Sequence, residues 1–200
     1  MTCCLPGQNG RPPPPPPPPP GLRIAELESG DTATVLAVFE GLSAHSRYLR
    51  FQTGVPTLPM RSLRRLADVQ SGRHVVHVAS LRGRPVGLAR WIRFPGDQSL
   101  AEIAVEVVDD VQGRGIGRAL VGHAARSARA AGVENFLAYI AVGNRLVRGW
   151  ARGLGAVAEP DDVGALRLPV APLISAAPVG RRPKGMAFRW PQSRRVRPRL

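Results

Sequence analysis

The pattern of apolar and polar positions divides the chain into short strands and amphipathic helices. Alternating and β-branched runs predict strands at residues 22–27, 75–81, 86–94, 100–108, 135–142 and 165–170. Helical spacing and start signals predict helices at 31–42, 43–51, 62–68 and 116–131, and a short helix that begins after Asn144. Strands and helices interleaved in this way predict an α+β domain, with a mixed α/β sheet flanked by helices on both faces.

Proline and charge define the predicted ends of this domain. Residues 12–20 are an unbroken proline run, which favours an extended polyproline II segment over a packed element. Prolines and basic residues recur from residue 169 onward without an acid. We therefore expect a folded domain at 22–170 and disordered tails at 1–21 and 171–200. Nine basic residues and no acids lie in residues 1–20 and 169–200, so the net charge of +14 falls to +5 for residues 21–168.

Composition also bears on location and on partners. Cys3 and Cys4 are adjacent and cannot cross-link the domain, and no histidine stands at metal-ligand spacing, so we expect no metal site. No apolar signal follows Met1, and the apolar stretch at 168–179 is interrupted by prolines. We expect a cytoplasmic protein without membrane contact. The arginine-rich C-terminal tail leaves weak, salt-dependent nucleic-acid binding open as an alternative function.

A glycine-rich loop at residues 112–118, Gln-Gly-Arg-Gly-Ile-Gly-Arg, joins an apolar strand to the longest predicted helix. Glycines let the backbone approach a phosphate closely, and the helix N-terminus adds N–H groups and a favourable dipole. A triphosphate loop needs lysine and then a hydroxyl residue after its last glycine, but Arg118 follows Gly117. The dinucleotide fingerprint needs a third glycine where Arg118 or Leu120 stands. The spacing disfavours both nucleotide classes and leaves another diphosphate, or a tight turn without a ligand.

The remaining pattern, Gln-x-x-Gly-x-Gly, resembles the acyl-CoA loop of the GNAT superfamily of N-acetyltransferases. The run at 101–105 before the loop, and Asn144 followed by Gly155, are similar to the same family. Residues 46–51 and 83–90 resemble a branch that includes bacterial protein-lysine acetyltransferases. The resemblance covers about residues 22–170. It implies a GNAT-like acyl-CoA N-acyltransferase fold and transfer of the acetyl group of acetyl-CoA to an amine, either a protein lysine or a small amine, without a covalent enzyme intermediate.

The resemblance also implies contacts with the acyl donor. Backbone N–H groups of the loop would hold the CoA diphosphate, the end of the preceding strand would pair with the pantetheine arm, and an N–H near Val107 would polarise the thioester carbonyl. Asn144 would orient the thiol end, and a helix-capping role for it stays open beside this one. The donor-binding residues implied in this way are Val107, Val108, Asp109, Gln112, Gly113, Arg114, Gly115, Ile116, Gly117, Arg118 and Asn144.

Glu102 and Glu106 are the candidates for the general base that removes a proton from the acceptor ammonium. Side chains alternate along a strand, so both carboxylates lie on one face, where burial is costly unless they are hydrated or functional. The resemblance favours Glu102, although the spacing does not separate the two. The alternative is a solvated face or an ion pair with Arg90 or Arg93.

Many members of the family have a tyrosine that protonates the leaving thiolate. This sequence departs from that pattern, because it has Ala151 at the corresponding position. Tyr139 is a weak substitute that we expect in the core. Tyr48 is expected to pack, Arg50 is a candidate acceptor contact, and the histidines fit structural roles. A GNAT-like module that binds acyl-CoA without transferring the acyl group is therefore a further alternative.

Overall fold

The computed structural model describes residues 16–52, 54–160, 162 and 164–176, so the predictions for residues 1–15 and 177–200 lie outside the described residues. The strands within this part of the chain are β1 (Leu22–Glu26), β2 (His74–Leu81), β3 (Arg84–Phe94), β4 (Asp97–Val107), β5 (Asn135–Tyr139), β6 (Val157–Ala158) and β7 (Ala165–Pro169). The helices are α1 (Thr32–Glu40), α2 (Ala44–Phe51), α3 (Met60–Ala67), α4 (Ile116–Ala130), α5 (Arg145–Gly153) and α6 (Val170–Ala176).

The strands form one mixed sheet in the order β1-β2-β3-β4-β5-β7-β6. All neighbours are antiparallel except β4 and β5, which pair in parallel over only three positions, from Leu100 with Asn135 to Glu102 with Leu137. Because β4 continues to Val107 after this pairing ends, the two strands diverge and leave a gap in the middle of the sheet. This gap is where the predicted loop and strand-end residues converge.

Helices cover both faces of the sheet, which confirms the predicted fold class. α4 packs on β1 to β4, and α6 packs on α4. Gly87 of β3 permits the close approach of α4, since a Cβ there would lie 2.8 Å from the Glu106 carbonyl oxygen and 3.0 Å from a methyl of Leu120. α1 and α2 lie on the opposite face, where the α2 side chain of Arg50 reaches Glu106.

A buried polar cluster joins α4 to the sheet at Ser127. The Ser127 hydroxyl accepts a hydrogen bond from Trp91 Nε1 at 2.8 Å and donates to the Ala124 carbonyl at 3.1 Å, and His77 Nε2 lies 2.7 Å away. A hydroxyl has one proton, so His77 must donate from Nε2 for all three contacts to be satisfied. Burial, and then the charges of His123 and Arg126, lower the pKa of His77 to about 4, which keeps its ring neutral. The structural role expected for this histidine is confirmed.

Two elements correct the predicted boundaries. The folded domain continues past residue 170 as α6, whose Val170 and Leu173 are buried, although the tail was predicted to begin at residue 171. Pro172 is compatible with this helix because the N–H groups of a first turn have no partner within the helix. The two-residue strand β6, which pairs with β7, was not predicted because two residues carry no periodic signal.

Candidate active site

The glycine loop takes the shape that a backbone anion site requires. Gly113 and Gly115 have φ values of +73° and +76°, which glycine adopts without strain, and Gly115 caps the N-terminus of α4. Among the residues that the structure describes, no acceptor takes the backbone N–H groups of residues 113–117. A Cβ at Gly113 would meet nothing within 4 Å. Five N–H groups at the positive end of a fifteen-residue helix therefore suit an anionic ligand.

Gln112 fixes the loop to the end of β4 through its side chain. Its Nε2 donates to the Val107 carbonyl at 2.9 Å and lies 3.3 Å from both Ser46 Oγ and Asp109 Oδ1. Asp109 in turn accepts hydrogen bonds from the Ser43 N–H and the Ser46 hydroxyl at 3.1 Å, which joins the start of α2 to the same point. The sequence suggested a backbone contact for Gln112, and this bracing role of its side chain was not foreseen.

The end of β4 presents Val107 to the gap. Val108 donates its N–H to the Val86 carbonyl at 3.0 Å, and Asp109 donates its N–H to the Gly41 carbonyl at 3.1 Å. Alternate residues of an antiparallel strand direct their N–H and C=O groups to opposite sides. The N–H and C=O groups of Val107 therefore point away from β3 and toward the side of β5. Of the three strand-end residues named for the pantetheine arm, Val107 alone keeps an N–H that is available on that side.

Residues of the proline run lie against the loop. A Cβ on Gly115 would come within 2.5 Å of the Pro16 carbonyl oxygen and within 3.3 Å of backbone atoms of Pro17 and Pro18. Pro18 and Pro19 are half-buried, and the Pro19 carbonyl accepts a hydrogen bond of 3.2 Å from the Leu22 N–H. The backbone of this segment thus runs beside the N-terminus of α4.

Glu102 and Glu106 both lie on the sheet face away from α4, as strand alternation predicted, but their surroundings differ. Glu106 forms an ion pair with Nε of Arg50, and the two side chains are 10% and 15% exposed. Glu102 occupies the last paired position of β4 before the gap, and no hydrogen bond or ion pair joins it to another described residue. The two carboxylates, which the sequence could not separate, are therefore distinguished by Arg50.

The sequence left open an ion pair between these glutamates and Arg90 or Arg93, and neither arginine forms one with them. Arg93 lies on the α4 face, where it donates to the Ala131 carbonyl and, at 2.8 Å, to Gln98. Arg90 shares the face of the two glutamates without an ion pair or hydrogen bond to any described residue. The partner of Glu106 comes instead from α2, which is 56 positions away in sequence.

On the far side of the gap, Asn144 caps α5, since its Oδ1 accepts a hydrogen bond of 3.3 Å from the Val147 N–H. Tyr139 was expected in the core, and this expectation is wrong because its side chain is 42% exposed. The Tyr139 hydroxyl donates to Asp162 Oδ2 at 2.6 Å, which raises the pKa of Tyr139 to about 12. Tyr48 is also exposed rather than packed, and the methyl group of Ala151 is buried.

The diverging strands and the glycine loop at the head of α4 belong to an acyltransferase fold of the GNAT type. A sequence model of the Acetyltransferase (GNAT) family matches residues 43–156. The chain therefore belongs to the GNAT family of acetyltransferases, and the family predicted from the sequence is confirmed.

Two relatives and a solved fold neighbour show where the chain stands within the family. Acetyltransferase Pat from Mycolicibacterium smegmatis is 34% identical over 140 residues, which make up 68% of this chain and 41% of that protein. The chain thus spans about two fifths of the length of this curated relative. The crystal structure of the GNAT domain of S. lividans PAT has a TM-score of 0.68 at 26% identity, covering 74% of this chain and 89% of that chain. The structure of yncA from Salmonella typhimurium with its cofactor acetyl-CoA has a TM-score of 0.60 at 19% identity, covering 75% and 94%, and supports the fold alone.

Among the described residues, none of the helices is both long and apolar enough to cross a bilayer. In the same part of the chain, no group of three or more His, Cys, Asp or Glu side chains is arranged to hold a metal ion.

Proposed function

We propose that this protein is an acetyl-CoA-dependent N-acetyltransferase in which an amine attacks the thioester directly. The observation that carries the proposal is that three features border one gap: the N–H groups of residues 113–117, for which no described residue is an acceptor, the backbone of Val107 and the carboxylate of Glu102. Membership of the GNAT family supports it. The acceptor, a protein lysine or a small amine, and the cytoplasmic location expected from the sequence stay predictions.

The loop supplies the groups that the donor needs. The N–H groups of residues 113–117 would bind the diphosphate of CoA, and the exposed guanidinium of Arg114 would add a positive charge to them. The Val107 N–H, which faces the gap, would donate a hydrogen bond to the thioester carbonyl and stabilise the negative charge that develops on its oxygen. The pantetheine arm would lie along the free edge of β4 as an added strand.

Glu102 is the better general base because its carboxylate is available, whereas that of Glu106 is held by Arg50. Glu102 takes a proton from the acceptor ammonium through bound water, since it lies five positions before Val107 on β4, and the neutral amine then attacks the carbonyl carbon. The C–S bond breaks as the C–N bond forms, and the second amine proton leaves to solvent. The products are the acetylated amine and the CoA thiolate.

The thiolate needs no protein acid in this scheme. Ala151 has no proton to give, and the Tyr139 hydroxyl already donates a hydrogen bond to Asp162, which raises the pKa of Tyr139 to about 12. A thiol has an ordinary pKa of about 8.5, so the thiolate is a competent leaving group and can take a proton from water.

Glutamine substitutions at the two carboxylates test the base assignment. Thiol release from acetyl-CoA is measured with a panel of amines for the wild type, Glu102→Gln, Glu106→Gln and Glu40→Gln, an exposed control on α1. We expect Glu102→Gln to lower kcat by about 10²- to 10⁴-fold, as for loss of a general base, with the KM for acetyl-CoA unchanged. Full activity in that variant removes Glu102 from the role. If instead Glu106→Gln alone loses activity, the base is Glu106.

A second function is favoured by one observation, the absence of an acid at Ala151: the domain would bind acyl-CoA without transferring the acyl group. Calorimetric binding of CoA with no thiol release on any amine supports this module over the enzyme. The nucleic-acid alternative depends on the tail at 181–200, which is outside the described residues. Unchanged polyanion affinity after its deletion removes that alternative.

A further inference from the structure

Arg90 lies between the two carboxylates of the candidate active site. On β3 it pairs with Ala104 of β4, while Leu88 pairs with Glu106 and Ile92 with Glu102. Paired residues of neighbouring strands project to the same face, so the Arg90 side chain leaves the sheet between those of Glu102 and Glu106, and the charges of both carboxylates affect its pKa. One strand pair thus carries a base candidate and a cation about two residues, or roughly 7 Å, apart.

The Arg90 side chain is partly buried, and its guanidinium has no partner among the described residues. Burial, together with the positive charge of Arg50, lowers the pKa of Arg90 to about 10. An arginine presents five donors, and no Arg90 nitrogen is among the fully buried unpaired atoms, so a ligand can reach them. A partly buried arginine whose donors are accessible and unused by the described residues fits a place that a ligand fills.

Arg50 adds a second unused donor at the same place. Its Nε donates to Glu106, but its Nη2 is buried without an acceptor among the described residues. The ion pair therefore neutralises Glu106 and leaves Nη2 of the Arg50 guanidinium without an acceptor among the described residues. The surrounding segment, residues 41–67, has five arginines and no acid, and Arg65 is close enough to affect Arg90. With Glu106 paired to Arg50, the other charges at this side of the site are Glu102 and an excess of arginines.

We propose that Arg90, with Arg50, binds a carboxylate of the acceptor next to the amine that Glu102 deprotonates. The inference rests on the proposed acetyltransferase function and names the chemical class of its acceptor. A zwitterionic acceptor matches the site because its ammonium faces Glu102 and its carboxylate faces the two guanidinium groups, which favour planar, bidentate pairing. The carboxylate can belong to a free amino acid or to an acidic residue beside a protein lysine.

Matched acceptor pairs test this specificity with the full chain and saturating acetyl-CoA. The first set contains free amino acids and their carboxamides, and the second contains N-acetylated peptides in which one lysine is flanked by glutamate or by glutamine. We expect kcat/KM to favour the carboxylate member by about tenfold or more in one of the sets, as for a charge-assisted hydrogen bond, and that set identifies the source.

Variants then assign the preference to Arg90. Arg90→Gln is expected to reduce the ratio between carboxylate and amide acceptors to near one while the KM for acetyl-CoA is unchanged. Arg61→Gln, at an exposed position of α3, keeps the wild-type ratio. Arg90→Lys retains the positive charge but not the planar guanidinium, and it is expected to give an intermediate ratio. Arg50→Gln is expected to give a ratio below that of the wild type. Arg90→Lys and Arg50→Gln decide the assignment if Arg90→Gln does not fold.

Two results overturn the inference while leaving the acetyltransferase intact. One is equal transfer to both members of every pair by the wild type, and the other is an unchanged ratio in the arginine variants. Failure of the wild type to acetylate any amine has a different meaning, because it removes the proposed function and the acceptor class together.

Discussion

Acetyl-CoA affinity is expected to rise when the proline segment is removed from the glycine loop. The Pro16 carbonyl oxygen would be only 2.5 Å from a Cβ on Gly115, so this backbone lies beside the head of α4. We expect residues 16–18 to compete with the diphosphate of the donor for this place. The perturbation is the triple substitution Pro16→Ser, Pro17→Ser and Pro18→Ser, which preserves the length of the chain.

The size of the effect follows from the small apolar area that residues 16–18 bury against the rest of the protein. Pro18 is half-buried, while Pro16 and Pro17 are exposed. Burial of roughly 40 Å² of apolar surface, at about 25 cal/mol per Å², contributes about 1 kcal/mol. A contact of that strength leaves the loop uncovered in roughly one molecule in six, and binding to that fraction weakens the apparent affinity by the same factor. The triple substitution is therefore expected to tighten acetyl-CoA binding about sixfold.

Isothermal titration calorimetry with acetyl-CoA measures this change. Pro95→Ser, at an exposed proline in the turn between β3 and β4, is the matched control and is expected to bind like the wild type. A Kd for the triple variant that equals or exceeds the wild-type value refutes the reasoning, since the segment would then leave the loop without cost or would contribute to donor binding.

Two further predictions concern the buried cluster under α4. Ser127→Ala removes the partner of Trp91 and His77, and leaving these donors unsatisfied is expected to lower the free energy of unfolding by about 2 kcal/mol in urea denaturation. Ser29→Ala, at an exposed position, is expected to change it by less than about 0.5 kcal/mol. The second prediction is pH dependence: the pKa of His77 is about 4 when folded and 6.5 in the unfolded chain, so the unfolded state binds more protons between these values. Stability is then fully present above pH 6.5 and falls by up to about 3 kcal/mol as the pH drops to 4. His77→Gln should flatten this part of the profile, and an unchanged slope would contradict the assignment.

Much of the fold was predictable because its signals are local. The helix α4 begins at the predicted residue and ends one residue earlier than predicted, since glycines at 115 and 132 flank it and its apolar positions repeat with helical period. The start of α1 was also predictable, because Asp31 accepts a hydrogen bond from the Thr34 N–H as a helix cap. The helix α6 was missed because Pro169 and Pro172 suggested an irregular tail, although a first turn tolerates proline.

The candidate site was predictable only in part, for a related reason. Strand alternation placed Glu102 and Glu106 on one face, but the residue that distinguishes them, Arg50, comes from a helix 56 positions away. No local pattern encodes a contact between distant elements. Tyr139 shows the same limit, because its exposure depends on where the strand β5 ends and on Asp162, which accepts a hydrogen bond from its hydroxyl.

The proposed mechanism depends on binding of the acetyl-CoA diphosphate by the N–H groups at the head of α4. Titration of acetyl-CoA into isotope-labelled protein, followed through backbone amide resonances, measures this contact. We expect saturable shifts that are largest at Gly113, Gly115 and Gly117, with Gly72, at a distant turn, unaffected. Resonances in the loop that do not move at saturating acetyl-CoA would contradict this mechanism.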